Sequence, residues 1–564
     1  MTSASVRMVR GLTRFASSWG ILFVLTLLAF SLHLSPLSIS RYPFNNDGLQ
    51  EVVIADRILE TGHVPIPDPS ELATTHSEST PVFNTMLAFV ASVIGADPMF
   101  VSQWMIAAMS PVVSVMVYIM LLKFCGDRRA SLGAALFVTM FGTLVYLTAS
   151  VWKESLGICL YVLLMYAYAN RQDRQMKTLT IIILIMMPLV HHLVAIVGYM
   201  TIAYLTGWSW MFALRNGAPR KRHYQDLIIV SVAIVLALAY YYWVSYDRLS
   251  YIDSVVSIVL IIGSMLLFFL PTAAVLLMRS HSKWTFAPIP AAVVVIVAYL
   301  DYTGRFFSYR PSAPWPYYFL LIIASAVMIA FAWYGIETII ESRSRYRAIP
   351  IGMLLPAATL MFFALVSPSV SDKQQLIYRS FDFADPALAL GIGLSFVGIA
   401  RRPGLKKFAK PLIVVFMVFL LVSLPFGIGT AKLLGLRHDT QEFEVDALQW
   451  IASVENGTVP SVHSDERMSY IGMVLFGFGK DNTLPYVLVR NVSLIPGAYN
   501  VYEEIWSRDG VNDFPRGSLT PSAAYMTKLF DAENVIYIGG GYSNRLIIFS
   551  HSFIGQIHYD WYPS

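Results

Sequence analysis

Charge and cysteine are scarce in this chain. Of its 564 residues only 13% are Asp, Glu, Lys or Arg, against 56% hydrophobic, with a mean hydropathy of +0.60. A chain so poor in charge is dissolved mainly in lipid. The two cysteines, Cys125 and Cys159, exclude a disulfide framework and a cysteine metal site, and redox chemistry with them. The net charge of +5 does not point to nucleic acid, because the basic residues form short clusters between apolar runs, which is the pattern of membrane topology. No internal repeat, low-complexity tract or long linker is present.

Long apolar runs are plentiful. They predict about thirteen spans of membrane-crossing length, near 19–39, 100–122, 131–149, 155–170, 178–190, 193–209, 227–243, 254–278, 286–300, 317–339, 348–366, 386–400 and 411–429. The first follows Arg7, Arg10 and Arg14 and reads as an uncleaved span, since no small-x-small site closes it. Lys and Arg crowd alternate connections, as in Arg128-Arg129, Arg220-Lys221-Arg222 and Arg401-Arg402. This bias predicts a multi-pass cell-membrane protein with a cytoplasmic N-terminus and an extracytoplasmic C-terminal region. Residues 178–208 are apolar throughout, yet basic clusters flank both ends, so the chain must turn back. The turn is predicted at Pro188 to His192, with His191 and His192 at the apex of two short arms; a single long tilted helix is the alternative.

After Thr430 charge density rises and the apolar runs stop. The chain therefore divides into a membrane domain, 1–430, including a first outer loop at 40–99, and a small extracytoplasmic α/β domain, 431–564. Gln441 to Ser453 has helical spacing, Tyr486 to Val489 reads as a strand, and Asn534 to Gly539 pairs with Arg545 to Phe549 across a glycine-rich hairpin. Asn456-Gly-Thr and Asn491-Val-Ser are acceptor sequons compatible with an outer domain.

Chemistry is best argued in the first outer loop. Leu49, Val52, Val53, Ile58 and Leu59 fall on one helical face, with Gln50, Glu51, Asp56, Arg57 and Glu60 opposite, which predicts an interfacial helix ended by Gly62. Asp47 would be its N-cap, with Gln50 completing a capping box; on that reading its role is structural. Glu154, beside Lys153, stands at a second outer boundary, either as half of a surface ion pair or as a functional carboxylate. Paired carboxylates can divide labour, one accepting a proton while the other orients an acceptor or holds a divalent cation such as magnesium or manganese.

The order of these parts resembles the GT-C class of membrane glycosyltransferases, in particular enzymes that use polyprenyl-phosphate sugars. The resemblance rests on Asn46-Asp47-Gly48 running to Glu51, Gly62-His63-Val64-Pro65, the segment from Thr80-Pro81 to Gly95, Glu154, the turn at His191-His192, a late outer arginine and an outer C-terminal domain. It implies an inverting transfer in which Asp47 is the catalytic base and Glu154 its supporting carboxylate. The donor would be a polyprenyl-phosphate-linked sugar and the acceptor a glycan, lipid or protein, both met among membrane lipids. Arg379 is the first candidate for the donor phosphate and Lys373 the second, because a guanidinium fork suits phosphate oxygens; Arg379 could instead pair with Asp382 or Asp385. Arg305 and Arg310 compete for the role, and Asn46, Glu51 and Lys153 are supporting candidates. One of His191 and His192 is placed in the cavity, since adjacent side chains usually point apart. No Trp-Trp-Asp-type motif of the oligosaccharyltransferases is present, which favours a single-sugar transferase. The rival classes are a lipid-oligosaccharide flippase and a non-catalytic relative.

Overall fold

The computed structural model describes residues 3–65, 78–215, 221–244, 255–277, 295, 315–341, 346–367, 373–428, 439–455, 459–490, 494, 498–509, 511–513, 517–541, 544–550 and 558–559. The N-terminal helix α1 (Ser3–Leu34) leads to two shorter helices, α2 (Asp47–Thr61) and α3 (Val82–Ile94). Each of the latter is closed by a glycine in the left-handed conformation, Gly62 and Gly95. Next come α4 (Pro98–Met109), α5 (Pro111–Cys125), α6 (Arg128–Met140), α7 (Gly142–Ala149), α8 (Lys153–Ala169), α9 (Arg174–Val190) and α10 (His192–Arg215). The helical part is completed by α11 (Lys221–Val244), α12 (Val255–Leu277), α13 (Trp315–Glu341), α14 (Ile349–Val366), α15 (Lys373–Ala400) and α16 (Ala409–Ser423).

Among the described residues six helical stretches are long and apolar enough to cross a membrane: Trp19–Ser38, Pro98–Cys125, His192–Met211, Tyr224–Val244, Ile349–Val366 and Arg379–Ala400. A seventh span results if the bent pair α6 and α7 counts as one. Of the other runs read from hydropathy, 254–278 and 317–339 are occupied by α12 and α13, and some fold as shorter or bent helices. Helices α8 and α9 have 17 residues each, about 25 Å at the helical rise, short of roughly 30 Å of hydrocarbon. The run at 131–149 is not one helix but bends by 61° at Phe141. Gly142 explains the bend: a β-carbon there would lie 1.8 Å from the Ser423 carbonyl oxygen, and its N–H donates to Ser423 Oγ at 3.3 Å, so the chain turns to pack against the end of α16. The predicted span at 286–300 lies outside the described residues, apart from residue 295.

The apolar segment after Arg174 does fold back. Helix α9 ends at Val190, His191 is extended (φ −162°, ψ 129°), and α10 begins at His192. Tyr199 on one arm donates to the Leu184 carbonyl on the other at 2.8 Å, which fixes the hairpin.

The C-terminal part contains α17 (Glu442–Glu455), α18 (Glu466–Phe476), α19 (Leu484–Val489) and α20 (Ala523–Ala532) around a mixed sheet. Its strands are β1 (Ser461–His463), β2 (Gly479–Asp481), β3 (Tyr499–Glu503), β6 (Asn534–Gly541), β7 (Asn544–Ser550) and β8 (His558–Tyr559), in the order β2-β1-β3-β7-β6-β8; β4 (Val511–Asp513) and β5 (Gly517–Leu519) form a separate pair. The hairpin of β6 and β7 pairs Asn534 with Ser550 through Gly541 with Asn544. Tyr486 to Val489 is helical rather than extended: Pro485 sits in the first turn, where its fixed φ favours a helix start, and Leu484 and Leu488 bury one face. Both sequons and Asp560-Trp561-Tyr562 lie wholly or partly outside the described residues.

Helix α2 joins the two parts. Leu49 is buried in a core with Val445, Leu448, Ile451 and Met468 of the C-terminal part, whereas Val52 and Ala55 enter a different core with Phe83, Val101 and Val151. The approach is set by Gly48. Phe44 accepts a hydrogen bond from Val151 N–H at 2.9 Å, and a β-carbon on Gly48 would lie 2.8 Å from both the Val151 carbonyl oxygen and Pro43 Cβ. We expect Gly48→Ala to cost about 1–3 kcal/mol by forcing the loops apart, seen as a lower melting temperature in detergent. Gly20→Ala, with nothing within 4 Å, should not lower it.

Candidate functional site

Asp47 opens α2 but does not cap it. Asn46 occupies the N-cap position in helical geometry with no side-chain cap bond. Gln50, predicted to complete a capping box, instead accepts a hydrogen bond from Tyr470 OH at 2.7 Å. Asn45 takes a left-handed backbone (φ 81°), accepts from Asp47 N–H at 3.1 Å and donates to Tyr146 OH at 3.2 Å. Asn46 accepts from Thr440 Oγ1 at 2.8 Å. The loop is thus tied on both sides, while the Asp47 carboxylate is exposed and accepts no hydrogen bond among the described residues.

That exposure is to a crevice. Desolvation by surrounding protein is the largest influence on Asp47 and pushes its carboxyl above the ordinary carboxylate range, against the opposing pull of Arg379, Lys153 and Lys480. An accessible carboxylate that is nevertheless desolvated lies within a concave wall.

Glu154 lies in the first turn of α8, and its carboxylate faces the Arg379 guanidinium, Nη1 at 3.4 Å, and the His191 ring, Nε2 at 3.6 Å. Both Glu154 oxygens are buried and accept no hydrogen bond among the described residues. The surface pair with Lys153 is not formed. Lys153 turns the other way, donating to Thr80 Oγ1 at 2.6 Å and standing 3.5 Å from Glu51. Arg379 also stands over the Trp152 ring, 5.8 Å from its centroid, and keeps 22% of its side chain exposed. His191 and His192, expected to diverge, stack with centroids 4.5 Å apart at 28°, because the extended residue between α9 and α10 turns both rings inward.

Glu51 and Gln50 depart from the predicted outward polar face: both are buried. Glu51 accepts from Asn84 Nδ2 at 2.5 Å, and Asn84 also donates to the Glu51 carbonyl at 3.0 Å. Arg57 pairs with buried Glu78 at 3.4 Å. Sequence reasoning missed Asn84, Glu78, Tyr146, Tyr470 and Lys480. Only Asn84 carried a signal, as a lone polar residue in the apolar run VFNTMLAFV.

The structure therefore gathers Glu154, His191 and Arg379 by direct contact, sets Asp47 within their electrostatic reach, and places Glu51 with Lys153 beside them. Lys373 is the first residue of α15, with its side chain outside the described residues; Arg305 and Arg310 lie wholly outside them. No group of three or more His, Cys, Asp or Glu side chains able to hold a metal ion occurs among the described residues.

No family model matches the chain, and no curated protein matches it. Among solved structures it is similar to the single-particle cryo-EM structure of arabinofuranosyltransferase AftD from Mycobacteria, at 13% identity and a TM-score of 0.47, over 95% of this chain and 40% of that one. The chain spans about two fifths of that protein's length. A likeness of this degree leaves the function to be argued from the site.

Two stability outcomes follow from the charges. Lys153→Met leaves Glu51 buried without its cation and is expected to cost about 3–5 kcal/mol, with much of the loss recovered in Lys153→Met/Glu51→Gln, measured by thermal unfolding. A raised carboxyl pKa in the folded state stabilises below the unfolded value of 3.8 and loses that contribution as pH rises through the folded value. Asp47→Asn should therefore raise the melting temperature at neutral pH, with the gain vanishing as the pH approaches 3.8.

Proposed function

We propose that this protein is a GT-C-type membrane glycosyltransferase that moves a single sugar from a polyprenyl-phosphate donor to an extracytoplasmic glycan, lipid or protein acceptor, with inversion. The observation that carries this reading is Asp47: an accessible, desolvated carboxylate with no hydrogen bond from the described residues, next to an arginine at the end of a membrane span. A structural carboxylate would be capped or paired, as Glu51 is.

In this mechanism Asp47 takes the proton of the acceptor hydroxyl as that oxygen attacks the anomeric carbon. The bond from the anomeric carbon to the phosphate oxygen breaks on the opposite face, and the polyprenyl phosphate leaves with the electron pair. Arg379, whose side chain is 22% exposed beside Glu154, meets the growing negative charge with its guanidinium donors. Glu154 acts by positioning Arg379 and His191, and His191 supplies a second donor near the phosphate. The raised pKa of Asp47 brings its basicity nearer the working pH. Because a nucleotide sugar is confined to the cytoplasm, a donor carried in lipid suits a site at the opposite boundary. The positive-inside bias supports that sidedness, with the N-terminus cytoplasmic and the C-terminal domain outside.

Asp47→Asn is expected to lower transfer from a short-chain polyprenyl-phosphate sugar by about 10²–10⁴, and Arg379→Gln by about 10²–10³, measured as labelled sugar incorporated per protein. Transfer that survives in Asp47→Asn would remove the base assignment. Movement of the lipid-linked sugar across a vesicle without turnover would replace the reading with a flippase.

A further inference from the structure

The third cation near Asp47 comes from outside the membrane bundle. Lys480 is the middle residue of β2, the edge strand of the C-terminal sheet. That strand is held firmly: Val462 pairs with Lys480, His463 Nδ1 stands 3.3 Å from Asp481, and the Asp481 carbonyl accepts from Ser464 N–H at 3.1 Å and Ser469 Oγ at 2.5 Å. Tyr470, on α18, bonds Gln50 in the first turn of α2, and the Lys480 ammonium lies 5.7 Å from the Tyr470 ring centroid. Lys480 thus overhangs the end of α2 that carries Asp47.

Its charge is also the least compensated of the three. Lys153 is buried with Glu51, and Arg379 is engaged by Glu154. Lys480 has Glu466 only at 3.9 Å, with both side chains more than a third exposed, a pair that water screens and an incoming anion can displace.

We infer that Lys480 and Tyr470 roof an acceptor subsite on the water side of Asp47, and that this subsite selects an acceptor carrying an anionic group, a phosphate or a carboxylate, close to the reacting hydroxyl. The inference rests on the glycosyltransferase reading above. It assigns two cations to different substrates: Arg379, at the end of a membrane span, to the donor phosphate, and Lys480, on the C-terminal sheet, to the acceptor.

The test is binding of a neutral disaccharide and the same disaccharide bearing a 6-phosphate to the full-length protein in detergent, by calorimetry. The wild type should bind the phosphorylated sugar roughly twofold to fivefold more tightly, the discrimination one partly exposed charge pair provides. Lys480→Gln should abolish the preference and Lys480→Arg retain it, with salt weakening it. Arg379→Gln should leave it in place. Equal binding of the two sugars by the wild type overturns the inference, as does a preference that survives in Lys480→Gln or disappears in Arg379→Gln. Failure of the transferase reading is distinguishable, because it appears as transfer insensitive to Asp47→Asn, in an assay where Lys480 is intact.

Discussion

The site depends on the double burial of one fifteen-residue helix. Helix α2 gives Leu49 to the core of the C-terminal part and Val52 with Ala55 to a core shared with the membrane bundle. Its N-terminal loop is fastened to both sides as well: Asn45 reaches Tyr146 of the bundle, and Asn46 accepts from Thr440. Thr440 leads into α17 beside Asp439, whose carbonyl accepts from Arg467, itself bonded to Glu444 at 2.6 and 2.8 Å and to Glu503 at 2.5 Å. A helix held from opposite directions can aim its first side chain at a third place. Asp47 is therefore positioned by contacts made through its neighbours rather than through its own carboxylate, which remains available for chemistry.

The distribution of partners around the crevice has a logic of cost. A buried charge is tolerable only when an opposite charge and hydrogen bonds compensate it. Glu51 has Lys153 and Asn84, and Arg467 has Glu444 and Glu503. Glu154 is the intermediate case, with Arg379 and His191 at ion-pair distances but no hydrogen bond to either oxygen among the described residues. Asp382 and Asp385 lie within the first two turns of the Arg379–Ala400 span.

How far the sequence disclosed this follows from the range of each signal. Hydropathy marks apolar runs, so the bundle and the change of character after Thr430 could be read directly. It cannot register the bend at Phe141, which arises because Gly142 meets Ser423 from a distant part of the chain. The turn at His191 was accessible because charge imposes it from both ends, whereas the stacking of the two rings depends on one extended residue. Asp47 and Glu154 could be picked out as acids at the ends of apolar runs. The partners of Lys153 could not: adjacency suggested Glu154, but successive helical residues point about 100° apart, and Glu51 lies across the crevice. Tyr470 and Lys480 were invisible, because nothing in their local sequence indicates that a soluble sheet edge lies over α2.

The same geometry bears on why two bodies contribute to one site. On the proposed reading, a polyprenyl chain would stay in hydrocarbon with its phosphate and sugar at the boundary, where the donor would meet groups such as Arg379, at the end of a span. On the same reading, an acceptor would arrive through water and need a surface that water also reaches, and β2 is the edge strand of the C-terminal sheet. The reacting hydroxyl and the anomeric carbon must then meet beside a carboxylate fixed relative to both surfaces. Only an element packed into both cores can hold that carboxylate without inheriting the relative motion of either, and α2 is packed in that way. Separating the two parts would therefore move Asp47 away from its cations even if each part kept its own fold.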